Sequence, residues 1–240
     1  HPESPIVFLS ACYFLVAVGY LIRIGVGHEE IACDGQTVRY SSTRPNLCSL
    51  VFLLIYFFGM ASSIWWVVLS FTWFLAAGLK WGNEAIASYA QYFHLAAWFL
   101  PSLQTVAVLM SSAVDGDPVS GICYVGNMNM ENLRLFVLAP LLIYLLLGTS
   151  FLMAGFVSLF RIRNVIKKQG AGTGCRTDKL ERLMIRIGIF SVLYTVPAII
   201  VIGCHLYENA YHDEWLKEIA CSCPSKSIVS LKERPLFSVL

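Results

Sequence analysis

Charge is what this sequence has least of. Only 13% of its 240 residues are Asp, Glu, Lys or Arg, 57% are hydrophobic, and the mean hydropathy is +0.67. Soluble domains carry roughly a quarter charged residues, so a water-soluble globule is a poor description. The 17 basic and 15 acidic side chains nearly cancel, and a net charge of +2 is too small to point to nucleic acid. The signatures of a reaction centre are missing as well. No His, Cys, Asp and Glu cluster has metal-ligand spacing, no nucleophile elbow or phosphate-binding glycine loop occurs, and no paired carboxylates stand on facing apolar runs. The chain reads as no enzyme and calls for no cofactor. It opens at His1-Pro2-Glu3-Ser4, without the basic and short apolar regions of a signal peptide. It stops just after an apolar run begins at Pro235, so it reads as an internal segment.

What the sequence does have is length in its apolar runs. Residues 47–79 pass without one charged side chain, where about 20 apolar residues suffice to cross a bilayer. Four more apolar runs are long enough, the first with Arg23 as its one charge: residues 5–26, 85–114, 135–160 and 187–206. His94, Pro101 and Gln104 interrupt the third of the five. Lipid offers no partners to backbone groups, and nothing here alternates like a barrel strand. The expected fold is therefore all-α, a polytopic transmembrane helix bundle. The second and fourth spans are long enough to tilt or to project beyond the lipid.

Basic residues orient the spans. The segment between the fourth and fifth carries Arg161, Arg163, Lys167, Lys168, Arg176, Lys179, Arg182 and Arg186 against Asp178 and Glu181. That excess marks residues 161–186 as cytoplasmic, and the turn Lys80-Trp81-Gly82-Asn83-Glu84 then falls on the same side. Loops 27–46 and 115–134 and the tail 207–240 are expected outside. Cys33, Cys48, Cys123, Cys221 and Cys223 sit in or beside those outer segments, and Cys204 near the outer end of the fifth span. Disulfides persist on that side of a membrane, so cysteine placement and charge agree. Cys12 is expected buried, and Cys175 cytoplasmic and free.

Several residues carry two readings. Gly59, Ala61, Ser62 and Ser63 are small residues of the kind that let helices approach in lipid, with bulky Trp65 and Trp66 beside them. Arg186 either snorkels its charge to the headgroups or latches the inner end of another helix. Pro197 removes a backbone bond inside the fifth span, giving a static kink or a hinge. The basic segment either meets anionic lipid, at about 1 kcal/mol per residue near the surface, or docks a cytosolic protein. His94 has no carboxylate on a neighbouring span and reads as structural. A transporter or channel is the rival class. Such proteins place ionisable groups near mid-bilayer, and the second, fourth and fifth spans have none inside.

The order of residues goes further. Tyr56-Phe57-Phe58-Gly59-Met60-Ala61-Ser62-Ser63-Ile64-Trp65-Trp66, Phe71-Thr72-Trp73-Phe74-Leu75-Ala76-Ala77-Gly78 and Gln91-Tyr92-Phe93-His94-Leu95-Ala96-Ala97-Trp98 occur in succession. Ala154-Gly155-Phe156-Val157-Ser158-Leu159-Phe160-Arg161-Ile162-Arg163 and Tyr194-Thr195-Val196-Pro197-Ala198 follow. Together they resemble the Frizzled receptors, class F seven-helix receptors for Wnt proteins. Gly27-His28-Glu29, Asp115-Gly116-Asp117-Pro118-Val119 and Val125-Gly126-Asn127 look most like the five/eight subgroup.

The resemblance implies that residues 1–240 are a partial seven-helix domain holding the family's second to sixth helices. The cysteine-rich Wnt-binding ectodomain, the first helix, most of the seventh and the Dishevelled-binding tail are expected to lie outside it. It implies a plasma-membrane receptor core, like a G-protein-coupled receptor, that relays Wnt binding to Dishevelled in β-catenin-dependent or planar-polarity signalling. Co-receptor, G protein, and anionic lipid or sterol are implied as further partners. It also implies disulfides Cys48–Cys123 and Cys204–Cys221, with Cys223 as the competitor for Cys204. Arg186 and Pro197 become switch residues. Lys80, Trp81, Arg161, Arg163, Lys167, Lys168, Lys179 and Arg182 become contacts for the cytoplasmic partner. The chain departs from the family pattern at Gln104, where many relatives carry lysine, and at Leu135, where glycine is usual. It also has an extra flexible piece, Gly170-Ala171-Gly172-Thr173-Gly174.

Overall fold

Four helices in the computed structural model are long and apolar enough to cross a membrane: Pro5–Val26, Leu47–Ala77, Ala90–Met110 and Met130–Val165. The structure describes residues 4–34, 37–38, 47–79, 81, 83–117, 120–126, 129–168, 186, 189–190 and 193–212. In chain order the elements are α1 (Ser4–Val26), α2 (His28–Ala32), β1 (Cys33–Asp34), β2 (Thr37–Val38), α3 (Leu47–Phe52) and α4 (Phe58–Ala77). Then come α5 (Asn83–Ser88), α6 (Ala90–Met110), β3 (Val114–Gly116), β4 (Cys123–Val125), α7 (Met130–Leu133) and α8 (Ala139–Lys168). A further helix, α9, covers 193–212. A five-residue π turn, Leu53–Phe57, joins α3 to α4, and a second, Arg134–Leu138, joins α7 to α8.

The bundle is all but entirely helical, yet its element ends differ from those expected. Residues 85–89 do not extend α6, because the separate short helix α5 precedes it and Tyr89 leaves helical geometry at φ −92° and ψ 0°. At its other end α6 stops at Met110, and Ser112 turns the chain with φ +49° into β3. The fourth span is longer than residues 135–160 in both directions. Asn129 caps its first turn by accepting a 3.0 Å bond from the Glu131 amide, and the helix continues through Lys168. Its 36-residue helix measures roughly 54 Å at 1.5 Å per residue. That exceeds the roughly 30 Å hydrocarbon layer, so the helix is long enough to tilt or to project beyond the lipid. Likewise α9 continues past residue 206 to 212.

Two small antiparallel hairpins were not expected. β1 pairs with β2, and β3 with β4 in the register Val114↔Val125, Asp115↔Tyr124, Gly116↔Cys123. Alternation over three residues is too short a pattern to stand out between apolar spans. Glycine is required at two positions nearby. Gly27, at φ +96°, ends α1 with its amide donating to the Arg23 carbonyl at 3.0 Å. Gly116 sits so close to α2 that a Cβ there would lie 2.2 Å from the Ala32 carbonyl oxygen.

Helix α4 is the centre of the bundle. Of its span's most apolar window 56% is buried, against 17–22% for the other three, as expected for a helix apolar on every face. Trp66 and Trp73, one heptad apart, lie on Gly148 and Gly155, also one heptad apart. A Cβ on Gly148 would fall 1.9 Å from the Trp66 ring, and one on Gly155 2.5 Å from Trp73 Nε1. The matching direction of the two pairs makes α4 and α8 parallel. Helix α1 runs antiparallel to α4, with Phe8 stacked on Trp65 at 4.8 Å and Gly19 against Ile55. Helix α6 is antiparallel too, through Phe93 on Phe71 at 6.0 Å and Trp98 on Phe57 at 6.3 Å. His94 packs edge-on between Phe8 and Trp65, at 4.9 and 5.0 Å.

The Trp–Gly seam makes a prediction. Gly148→Ala should lower stability by about 1–3 kcal/mol through overpacking, and more than Gly155→Ala, because Trp66 is 1% exposed while Trp73 is half-buried. Thermal midpoints of the purified variants in detergent test this. Equal stability of Gly148→Ala and the unmodified protein would refute the seam.

Candidate functional site

At one end of the bundle Cys48, in the first turn of α3, and Cys123, in β4, form a disulfide with Cα atoms 5.3 Å apart. Both are fully buried, among Ile31, Val114, Ile122 and Val125. The bond therefore ties the β3–β4 hairpin to the top of the central helix. Cys204 is half-buried in α9 and has no disulfide among the described residues; Cys221, its expected partner, and Cys223 lie outside them. At the same end Arg134 Nε donates to Asn209 Oδ1, joining the start of the fourth span to α9, and His205 faces Glu208 at 3.4 Å.

Below the hairpin lies a cavity of about 500 Å³ between α1, α4, α8 and α9. Tyr124 from β4 lines it together with Tyr13, Ser63, Tyr144, Tyr194 and Pro197. Among the described residues its lining contains no charged side chain. Local hydrogen bonding sets its polarity. Ser62 and Ser63 donate their hydroxyls to the Gly59 carbonyl, at 2.7 and 3.2 Å. Tyr13 and Tyr194 bring their phenols to the same wall of the cavity as these serines. The hydroxyls there thus come from α1, α4 and α9. On its other side Tyr144 accepts a 2.8 Å bond from Gln104 Nε2. Loss of water, then the neighbouring phenols of Tyr56 and Tyr20, push the Tyr124 phenol well above its ordinary range, so it stays neutral.

Three of the small residues take a different role from helix packing. A Cβ on Gly59 would meet nothing within 4 Å, since Gly59 faces the cavity. Ser62 and Ser63 supply its acceptors. The close helix approach comes instead from the glycines of α8. Tyr194 stacks on Trp66 at 4.5 Å and 15°, linking α9 to the Trp66–Gly148 contact. Pro197, one turn further along α9, is exposed on one side and reaches the cavity on the other.

The opposite end carries the basic residues. Arg161 is exposed and Arg163 half-buried in the last turns of α8, with Lys167 and Lys168 ending the helix. These four are helical rather than part of a loop, where cations complement the C-terminal end of the helix dipole. Trp73 and Ala77 of α4 pack on Leu159, so the turn after α4 meets the end of α8. Trp81 in that turn is exposed, 5.7 Å from the Tyr89 ring. Trp81, Arg161 and Arg163 thus share one end of the bundle. Arg186 is helical and exposed. Lys80, Lys179 and Arg182 lie outside the described residues. Tyr13, Tyr144 and Tyr124, prominent in the cavity, were not singled out from sequence. Their only signal was an aromatic hydroxyl inside or beside an apolar run.

The apolar spans and their packing define a multi-pass helical membrane protein. Residues 1–240 match the Frizzled/Smoothened family membrane region, and the chain belongs to that family. Over its full length it is 69% identical to Frizzled-2 of Drosophila melanogaster, 65% to Frizzled-8 of Xenopus laevis and 60% to Frizzled-5 of Homo sapiens. It spans 34%, 41% and 41% of the lengths of those three relatives.

The disulfide closes a loop with a sequence separation of 75, for which chain entropy alone gives roughly 4–5 kcal/mol. Cys48→Ser and Cys123→Ser should each lower the thermal midpoint, and the double variant should be no worse than the poorer single. Additive losses would mean that the cysteines act separately.

Proposed function

We propose that this chain is the transmembrane core of a Wnt receptor, which relays Wnt binding on one side of the plasma membrane to Dishevelled on the other. The observation that carries this reading is the family match over the whole chain at 60–69% identity to named Frizzled relatives. In this reading the disulfide end is extracellular and the basic end cytoplasmic, as the excess of Lys and Arg requires. The Wnt-binding ectodomain, the first and seventh helices and the tail belong to the longer receptor. Dishevelled docks on Trp81, Arg161 and Arg163, with Lys80, Lys167, Lys168, Lys179 and Arg182 completing the basic surface. Wnt drives the change only through a difference in affinity for two bundle arrangements. Pro197 is the hinge of α9, and Arg186 latches the inner end of another helix, the seventh of the longer receptor, in the resting arrangement.

The latch is tested in the full-length receptor. A hydrogen bond from a charged donor contributes about 1.5–3 kcal/mol, so Arg186→Ala should raise basal Dishevelled recruitment roughly tenfold or more at equal surface expression. Wnt capture should not change. Arg182→Ala is the control for charge alone. Recruitment that stays at the basal level in Arg186→Ala leaves Arg186 as a membrane anchor.

The cavity suits the sterol among the implied partners. Its lining is uncharged among the described residues, and its hydroxyls offer a place for a single alcohol group. Ala198→Phe, which fills one wall, should lower labelling of the receptor by a photoactivatable cholesterol analogue. Undiminished labelling places the sterol elsewhere.

A further inference from the structure

The two π turns lie side by side and are joined by one hydrogen bond. Tyr56, in Leu53–Phe57, donates its hydroxyl to the carbonyl oxygen of Phe136, in Arg134–Leu138, at 2.7 Å. A π turn holds one residue more than an α-helix needs. The backbone ladder therefore changes from i→i+4 to i→i+5 closure there, as in the bond from the Ala139 amide to the Arg134 carbonyl. Such a turn persists only where something outside the helix favours it, because an uninterrupted α-helix has the better ladder. Here the candidate is at hand. Tyr56 is completely buried, where a hydroxyl without a partner is costly. Its ring is fixed by stacking on Phe52 at 5.2 Å and by the edge of Tyr124 at 6.0 Å. Tyr124 in turn neighbours Cys123 of the disulfide.

We propose that the Tyr56 hydroxyl is a clasp that holds the Arg134–Leu138 π turn in place, and so sets the rotation of α8 relative to the disulfide end. The device has two states. With the clasp made, the extra residue stays between α7 and α8. With it broken, the π turn anneals or migrates along the helix, and each residue of shift turns α8 by about 100° about its axis. Gly148 and Gly155 would then leave Trp66 and Trp73, so movement is opposed by the seam at the middle of the bundle and favoured only when the hydroxyl lets go. Because Arg161 and Arg163 stand on the same helix, its rotation would reorient the basic end. This last step rests on the receptor reading above; the clasp does not.

Amide hydrogen exchange of the full-length receptor in lipid nanodiscs, read over residues 134–139, tests the clasp. Tyr56→Phe keeps the ring and its stacking and removes only the donor. It should speed exchange there about fivefold, the factor that a typical neutral hydrogen bond contributes, while residues 97–108 of α6 keep their rates. Deleting Leu135, an exposed residue inside the π turn, removes the extra residue. It should slow exchange, and Tyr56→Phe added to the deletion should have no further effect. Unchanged exchange in Tyr56→Phe, or an equal acceleration with and without Leu135, overturns the clasp. If Tyr56→Phe does not reach the cell surface, the deletion decides: exchange as fast as in the unmodified receptor, or faster, overturns it. Wnt-stimulated Dishevelled recruitment is measured on the same variants. Faster exchange with unaltered recruitment keeps the clasp and rejects its link to the basic end. A complete lack of recruitment by the unmodified receptor fails the receptor reading and leaves the exchange result standing.

Discussion

The bundle depends on a fit between indole rings and missing side chains. In lipid, apolar helices gain nothing from leaving water, so they associate by shape. Trp66 and Trp73 fill the spaces where Gly148 and Gly155 have no Cβ, and the heptad spacing repeats the contact on one face of each helix. This fixes α8 parallel to α4. With that face taken, α1 and α6 occupy the remaining sides of α4 through Phe8, Gly19, Phe93 and Trp98. The central span is thereby the most buried of the four, and Ser62 and Ser63 become neighbours of the cavity.

Polar groups inside the bundle fall into two kinds. Most hydroxyls bond within their own helix: Ser70 to the Trp66 carbonyl, Thr105 to that of Pro101, Thr149 to that of Leu145. Such bonds move with the helix and oppose no displacement. A few cross between helices, at Tyr56 and Phe136 and at Gln104 and Tyr144. Cross-helix polar contacts in membrane proteins average only about 0.6 kcal/mol. That is strong enough to choose between arrangements and weak enough to be exchanged. The indole nitrogens of Trp65 and Trp73 have no partner among the described residues, so those rings are placed by packing alone.

Four of the spans were legible in sequence because lipid imposes one rule, a long run with little or no charge, and residues 47–79 obey it throughout. Their ends were not. The run at 85–114 is apolar on both sides of Tyr89 and Ser112, and hydropathy is blind to the backbone angles that break the helix there. The π turns were equally hidden, since Leu53–Phe57 and Arg134–Leu138 carry no residue that forbids an α-helix. The small residues from Gly59 to Ser63 point in sequence to helix contact; in the structure Ala61 is buried in the core, while Gly59, Ser62 and Ser63 line the cavity. Which glycine meets which tryptophan depends on the relative rotation of two distant helices, and no single run contains that information. The cavity required four helices at once; its tyrosines looked like interruptions in apolar segments until the fold brought them together.

The Cys48–Cys123 bond also alters how the chain bears load. It converts the central helix, α6 and the hairpin into a closed covalent ring. Tension entering from residues before 48 and leaving after 123 runs through two sulfur atoms and bypasses everything between. A pull on the disulfide end therefore cannot draw those two spans out in sequence; it is delivered instead to α1 on one side and to the start of the fourth span on the other. Mechanically the ring is a fixed post, and the helices outside it are the parts free to give.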